Sequence, residues 1–337
     1  MIETTNVIAQ QSGNDWQLYN ADCVEVAASL PESSVDFSIF SPPFASLYTY
    51  SASPRDMGNA VDGPQFAEHF AHLMPSIFRV LRPGRLMAMH CMLLPSSKLR
   101  DGYIGLKDFR GDLIRCAQAS GFIFHSEVCV WKSPVTAMQR TKARGLLHTA
   151  SIMGDSAQSR QSIADYLVVM LKPGHNDKPI KHKHGPTCKR GHDDSECEFP
   201  VERWQRYASP IWVTLDGVDD EGFAIPRDPR SGDVETEDSG IATGDTLQKE
   251  SAREDDDEKH LCPLQLPVIR RAVRLWTAPN DVVLSPFAGI GSEGYVAIQE
   301  GRKFVGVELK PSYYRQACLN LKAAEPNGKG SQVELFL

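Results

Sequence analysis

Apolar and polar positions along the first third of the chain switch repeatedly between a period of two and a helical period. VDFSIFS, Val35 to Ser41, is a short and mostly apolar β-prone run, which predicts a strand. Phe66, Phe70, Leu73, Ile77, Val80 and Leu81 fall at helical spacing, which predicts a helix over Phe66 to Leu81 that tolerates Pro75. The turn former RPG, Arg82 to Gly84, precedes a second strand in GRLMAMHCML, Gly84 to Leu93. A further helix over Gly111 to Ser120 stops at Gly121, and FIFHSEVCVW, Phe122 to Trp131, predicts another strand. The same rhythm returns late in the chain. Leu266 to Trp276 is helical by period and Ala278 to Asp281 is a turn. Asp281 to Leu309 reads strand, glycine turn, helix, strand, and Ser312 to Ala324 is a closing helix. This alternation defines an α/β protein without internal repeats.

The middle of the chain breaks the pattern. Residues 172 to 206 are rich in His, Lys, Gly and Pro, and residues 216 to 258 lack apolar periodicity, so the latter stretch reads as a long exposed linker. Charge changes this picture once it is located. The net charge is −7, yet residues 216 to 258 alone carry −12 and leave +5 for the rest. Lys132 to Arg190 holds 11 basic against three acidic residues, together with His148, His175, His182 and His184. Such a concentration suits phosphate contacts or a solvated basic loop. A chain of 337 residues, 41% apolar, makes one large or two modest domains and excludes a disordered or fibrous protein. Its apolar runs fall short of the roughly 18 residues that span a bilayer, and the N-terminus has neither a basic start nor an apolar stretch. Eight widely spaced cysteines read as reduced thiols. A cytoplasmic protein without membrane contact is expected.

Two short motifs carry chemistry. In FAGIGS, Phe287 to Ser292, Gly289 and Gly291 stand between a predicted strand and a predicted helix, where a ligand can approach bare backbone and unpaired N–H groups. Glu308 ends the next strand, where a carboxylate can accept from two ribose hydroxyls, so a nucleoside-containing cofactor is indicated. Gly289 to Gly294 also spells the dinucleotide fingerprint G-x-G-x-x-G, so this motif alone leaves a nicotinamide cofactor open. The second motif is SPPF, Ser41 to Phe44, at the end of the first strand. Its two prolines remove N–H donors, which leaves local carbonyls and the Ser41 hydroxyl as acceptors beside the aromatic Phe44. Acceptors next to an aromatic face suit a planar ring bearing an exocyclic amine, as a flipped-out base presents itself.

SPPF resembles the catalytic motif of DNA amino-methyltransferases, and FAGIGS resembles their S-adenosylmethionine motif. YNADCVEV (Tyr19 to Val26), RVLRPGRLMAMH (Arg79 to His90) and KHLCPLQLP (Lys259 to Pro267) extend the resemblance. It covers about residues 15 to 135 and 258 to 325, and the catalytic motif preceding the glycine motif marks the β-class order. What the resemblance implies is a Rossmann-like methyltransferase domain with a mostly parallel, doubly wound sheet. Residues 15–135 would form its catalytic half and 258–325 its cofactor-binding half. An irregular target-recognition region is inserted over 136–257, with the acidic linker 216–258 at its end.

The implied reaction is methyl transfer from S-adenosyl-L-methionine to the exocyclic amine of a base flipped from double-stranded DNA, leaning to cytosine N4 over adenine N6. Ser41, Pro42, Pro43 and Phe44 would be catalytic. Glu308 and Leu309, together with Phe287, Ala288, Gly289, Ile290, Gly291 and Ser292, would hold the cofactor. Asp22 and Cys23 would lie near its adenine or the active-site wall, and His260, Cys262 and Pro263 by its methionine end. Lys132, Arg140, Lys142 and Arg144 would grip the duplex, and a restriction nuclease and a homodimer are candidate partners. A Pro-Cys pair for cytosine C5 chemistry is absent, since Cys262 precedes Pro263. RNA or protein-glutamine methylation and an inactive DNA-binding homologue stay open. No metal is required.

Weaker signals complete the reading. His182, His184, Cys188, His192 and Cys197 have zinc-ligand side chains but lack a C-x2-C pair, which favours an exposed polar insertion. Trp131 with Lys132 resembles a segment bordering the family's catalytic pocket. WQRYASPIW, Trp204 to Trp212, suits either DNA contact or packing.

Overall fold

The computed structural model describes residues 7–44, 57, 60, 63–96, 98–131, 153–158, 161–183, 198–199, 201–212, 246–247 and 264–325. In chain order the strands are β1 (Ala9–Ser12), β2 (Trp16–Asn20), β3 (Val35–Phe40), β4 (Leu81–Met92), β5 (Leu94–Pro95), β6 (Leu106–Lys107), β7 (Ile123–Val130), β8 (Asp165–Leu171), β9 (Ile211–Trp212), β10 (Val282–Ser285) and β11 (Lys303–Glu308). The helices used below are α1 (Cys23–Ser29), α2 (Gly63–Val80), α3 (Lys98–Asp101), α4 (Phe109–Ala119), α5 (Val201–Tyr207), α6 (Leu266–Trp276), α7 (Ser292–Gln299) and α8 (Pro311–Ala324). Among the described residues, nine strands form one sheet in the order β1-β2-β11-β10-β3-β4-β8-β7-β9. Within it β1 and β8 run against the others, so the sheet is mostly parallel.

Every residue of β3 is buried, as a central parallel strand covered on both faces demands. Its alternate side chains feed two cores. Phe40 joins the layer that contains Val26 of α1, Phe70 of α2 and Leu113 of α4, while Phe37 and Ile39 join Ile269 of α6, Val296 of α7 and Ala317 of α8. Helices therefore cover both faces, which makes the fold doubly wound, as the resemblance implies. Helix starts follow local chemistry. Asp22 caps α1 by accepting from the Val24 N–H at 2.8 Å, and Asp108 caps α4 by accepting from the Gly111 N–H at 2.9 Å.

At the amino ends of β3 and β10 sits a buried charge cluster. Arg85 pairs with both Asp36 and Asp281, and the second oxygen of Asp36 accepts from the Val282 N–H at 2.9 Å. Pairing removes most of the penalty of burying these charges and ties three strands together at the end remote from the two motifs.

The structure departs from the sequence reading at two places. RPG does not form a turn ahead of β4: the strand begins at Leu81 and absorbs Gly84, with φ +70, at an irregularity in its pairing with β3. A Cβ on Gly84 would approach Asn176 to 2.8 Å, so close packing as well as backbone sign selects glycine. The second departure concerns the boundary of the recognition region over 136–257. Its residues Asp165–Leu171 are β8, an apolar strand lying between β4 and β7, and Ile211–Trp212 are β9 at the edge. Both belong to the same sheet as β3 and β4, so that sheet extends past residue 135. Asp165 at the head of β8 stands opposite Met92 of β4 and Val130 of β7, and no local periodicity reveals partners so far away along the chain.

Candidate active site

The glycine motif and Glu308 are carried by β10, α7 and β11. Three glycines divide the work between the turn that follows β10 and the first turn of α7. Gly289 has φ +54 and a Cβ placed there meets nothing within 4 Å, so this face of the turn is open to a ligand. Gly291 has φ +88 and forms the N-cap of α7. Gly294 is different: a Cβ there would lie 2.5 Å from Leu321 and from Phe304, so its glycine sets the close approach of α7 to β11 and α8. Ala288 and Ile290 are buried, Ile290 against Tyr313, so only their backbone is placed toward a ligand.

Glu308 ends β11 beside this turn. Its carboxylate accepts from the Gly289 N–H and from the Lys310 N–H, each at 2.8 Å. Asn20, which sequence reasoning missed, donates to the carbonyls of Glu308 at 2.8 Å and Leu309 at 2.9 Å and so locks β2 to the end of β11. Asp22 and Cys23 follow directly. Asp22 is engaged as a helix cap, and burial, then the charges of Asp22 and Glu308, push the Cys23 thiol well up and keep it protonated. Burial also pushes the Glu293 carboxyl in the first turn of α7 up to about 8, with Glu308 adding to the effect.

The second motif leaves the end of β3. Pro42 is buried, and the Phe44 ring is buried edge-on to His90 at 6.4 Å and against Phe109 at 6.1 Å between centroids. Phe44 thus packs the motif into the core rather than standing free as a stacking face. Ser41 is half-buried, and its Oγ lies 3.0 Å from His90 Nδ1. His90 Nε2 lies 2.8 Å from Asp165 Oδ2, and both residues are buried. Sequence reasoning missed His90 and Asp165. The available signals were a lone histidine inside the apolar run LMAMHCM and an acid at the head of DYLVVML.

Topology brings the motifs together. β3 and β10 are hydrogen-bonded neighbours, with Phe37 opposite Val283 and Ser38 opposite Leu284, and the Ser38 hydroxyl donates to the Leu284 carbonyl at 3.0 Å. The connection through α2 leads away to β4, and that through α7 leads the other way to β11. The carboxyl ends of β3 and β10 are therefore the switch point of the sheet, where a crevice opens in this architecture. Phe40 at the end of β3 and Phe287 in the turn after β10 sit 5.7 Å apart between ring centroids. The two motifs share one end of the sheet, 246 residues apart in sequence at the Ser38 contact.

His260, Cys262 and Pro263, and the basic Lys132, Arg140, Lys142 and Arg144, lie outside the described residues, as does most of the acidic stretch 216–258. Of the zinc-type set only His182 is described; it lies 3.4 Å from a Glu198 oxygen and against the Phe199 ring, and His184, Cys188, His192 and Cys197 lie outside. Trp131 is half-buried at the end of β7, and Trp212 is fully buried while Trp204 is exposed, so WQRYASPIW divides between packing and surface. Among the described residues no helix is long and apolar enough to cross a membrane.

Comparison with known proteins assigns this arrangement to a class. Residues 35–318 match the N6/N4 DNA methylase family, and the chain belongs to that family. Type II methyltransferase M.XycI of Xanthomonas campestris pv. cyanopsidis is 26% identical over 319 residues, spanning 92% of this chain and 89% of that protein. Shorter matches reach DNA adenine methyltransferase YhdJ of Escherichia coli (strain K12), 39% identical over 72 residues and covering 21% of this chain. The chain spans about a quarter of the length of YhdJ and of YubD from the same strain. Among solved structures, TTHA0409 from Thermus thermophilus is 21% identical with a TM-score of 0.58, covering 93% of this chain and 97% of that one. The cytosine-N4-specific PvuII DNA methyltransferase is 15% identical with a TM-score of 0.58, covering 94% and 90%. These two share the fold.

The family makes S-adenosyl-L-methionine the cofactor, and the residues present fit it. The open face at Gly289 admits a ligand to the backbone, and the Glu308 carboxylate stands beside it. The buried Ser285 hydroxyl just before the turn has no hydrogen-bond partner among the described residues.

Proposed function

We propose that the chain methylates the exocyclic amino group of a base extruded from double-stranded DNA. The observation that carries this reading is the emergence of SPPF and the glycine turn from adjacent strands at one end of the sheet. In this reading Glu308 holds the ribose, the backbone of Phe287 to Ser292 lines the cofactor site, and Asp22 with Cys23 forms its wall. His260, Cys262 and Pro263 complete the methionine end. The bound cofactor supplies an electrophilic methyl group on a sulfonium.

The protein's task is then to shape the acceptor. An exocyclic amine is a weak nucleophile because its lone pair is delocalised into the ring. Hydrogen bonds from the amine to the Ser41 hydroxyl and the Pro42 carbonyl favour the pyramidal nitrogen, whose lone pair can attack. Pro43 keeps the turn rigid, and Phe44, held by His90 and Phe109, fixes the motif against the core.

Ser as the first residue of the motif leans the reading to cytosine N4 over adenine N6. The parts of 136–257 other than β8 and β9 would supply target recognition, with Lys132, Arg140, Lys142 and Arg144 on phosphates. A cytoplasmic enzyme, with a cognate restriction nuclease and a homodimer as candidate partners, completes the proposal.

The test is transfer of a labelled methyl group from S-adenosyl-L-methionine to unmodified duplex DNA, RNA and protein side by side. Label in DNA alone, on an exocyclic amine by nucleoside digestion, is the expected result. Label only in RNA or protein, or DNA binding without transfer, overturns it.

A further inference from the structure

Both ring nitrogens of His90 are engaged, Nδ1 at 3.0 Å from Ser41 Oγ and Nε2 at 2.8 Å from Asp165 Oδ2. An ionised carboxylate only accepts, so the Nε2 hydrogen points to Asp165 and Nδ1 is left as an acceptor. The Ser41 hydrogen then points to His90, and the Ser41 lone pairs are turned toward an incoming donor. Joining β4 to β8 does not require this pair, because backbone pairing from Leu86↔Leu171 to Met92↔Asp165 already does so. A buried His–Asp pair also returns little net stability for its desolvation. Its distinguishing feature is that it ends on the first residue of SPPF.

We infer that His90, backed by Asp165, is a positioning residue that orients the Ser41 hydroxyl as an acceptor and takes up, through it, the proton that the substrate amine loses. The inference rests on the reading above. As the nitrogen lone pair forms the N–C bond, the S–C bond breaks and leaves its electron pair on sulfur. The nitrogen then carries a positive charge with two hydrogens. One proton passes to Ser41 Oγ while the Ser41 hydrogen passes to His90 Nδ1. The resulting imidazolium faces the Asp165 carboxylate, and the methylated amine is neutral.

The experiment compares His90→Gln and Asp165→Asn, each alone and combined with Ser41→Ala, in the full chain. Single-turnover rates are read with labelled S-adenosyl-L-methionine on PCR-amplified genomic DNA, and cofactor affinity by calorimetry. Each single variant should lose roughly 10- to 100-fold in rate at unchanged cofactor affinity. In the Ser41→Ala background the same changes should cost no more than about twofold, because groups that act as a unit are not additive. A purely structural pair gives losses that multiply in the double variants, which overturns the inference. So does a wild-type rate in either single variant. Should His90→Gln fail to fold, the isosteric Asp165→Asn carries the test. If Ser41→Ala itself keeps the wild-type rate, the amine-binding reading falls; if it is slow while His90→Gln is fast, only the relay falls.

Discussion

The two halves of the site are made in different ways. On the cofactor side, Gly289, Gly291, Gly294 and Glu308 lie within 19 residues of one another, and strand, turn, helix and strand deliver them in a single βαβ unit. On the acceptor side, Ser41, His90 and Asp165 come from the end of β3, from β4 and from β8, and only cross-strand pairing gathers them. In the proposed reading, the cofactor site is a property of local backbone geometry, whereas the acceptor site is a property of strand order. A substitution in the first should act through turn shape and ligand affinity, and one in the second through turnover.

Ser41→Ala should break the comparison most sharply if it fails to follow this division. The expected outcome is a rate loss of about 100-fold or more, with cofactor affinity within about twofold of wild type, read by single turnover and calorimetry. Gly294→Val should come next and act on folding. Its Cβ would meet Phe304 and Leu321 at 2.5 Å, so α7 must move, at a cost of about 3 kcal/mol in urea unfolding. Equal stability to wild type would show that the helix is not held by that contact.

Glu308→Ala should weaken S-adenosyl-L-methionine binding by roughly 10- to 30-fold by loss of charge-assisted hydrogen bonds, and should spare turnover at saturating cofactor. Loss of turnover with intact affinity would erase the distinction between the halves. A separate effect, read through pH, concerns Glu293, whose folded pKa of about 8 stands above its ordinary carboxyl value. The folded state then holds a proton that the unfolded chain releases, so stability from this group is full below the unfolded pKa and is lost as pH rises toward 8. Glu293→Gln removes that loss. Its stability relative to wild type should rise by about 4 kcal/mol between about pH 5 and pH 8.5, measured by chemical denaturation at each pH. A difference independent of pH would place the Glu293 charge in water.

Much of the fold was legible in residue order. α6 runs from Leu266 to Trp276 as its period predicts, and β3, β7, β10 and β11 lie within one or two residues of their apolar runs. The exceptions share a cause. RPG reads as a turn because Pro and Gly are local punctuation, but packing against Asn176 and a hydrogen bond to the Lys172 carbonyl keep Gly84 within a strand. β8 is hidden inside a polar region because its partners lie far away in sequence. Phe44 was expected beside an incoming ring, and the neighbours that bury it, His90 and Phe109, are 46 and 65 residues further on.

Sequence by itself determined the glycine turn, the acid at the end of β11, the Pro-Pro motif and the alternation of strands and helices. Each depends on interactions within a few residues: φ signs, missing N–H donors, side-chain period. Tertiary structure alone decided that β10 and β3 lie side by side, that β8 enters between β4 and β7, and that a serine, a histidine and an aspartate form one hydrogen-bonded chain. Those facts follow from which strand edges pair and which apolar faces are covered, and pairing is settled by the whole sheet at once.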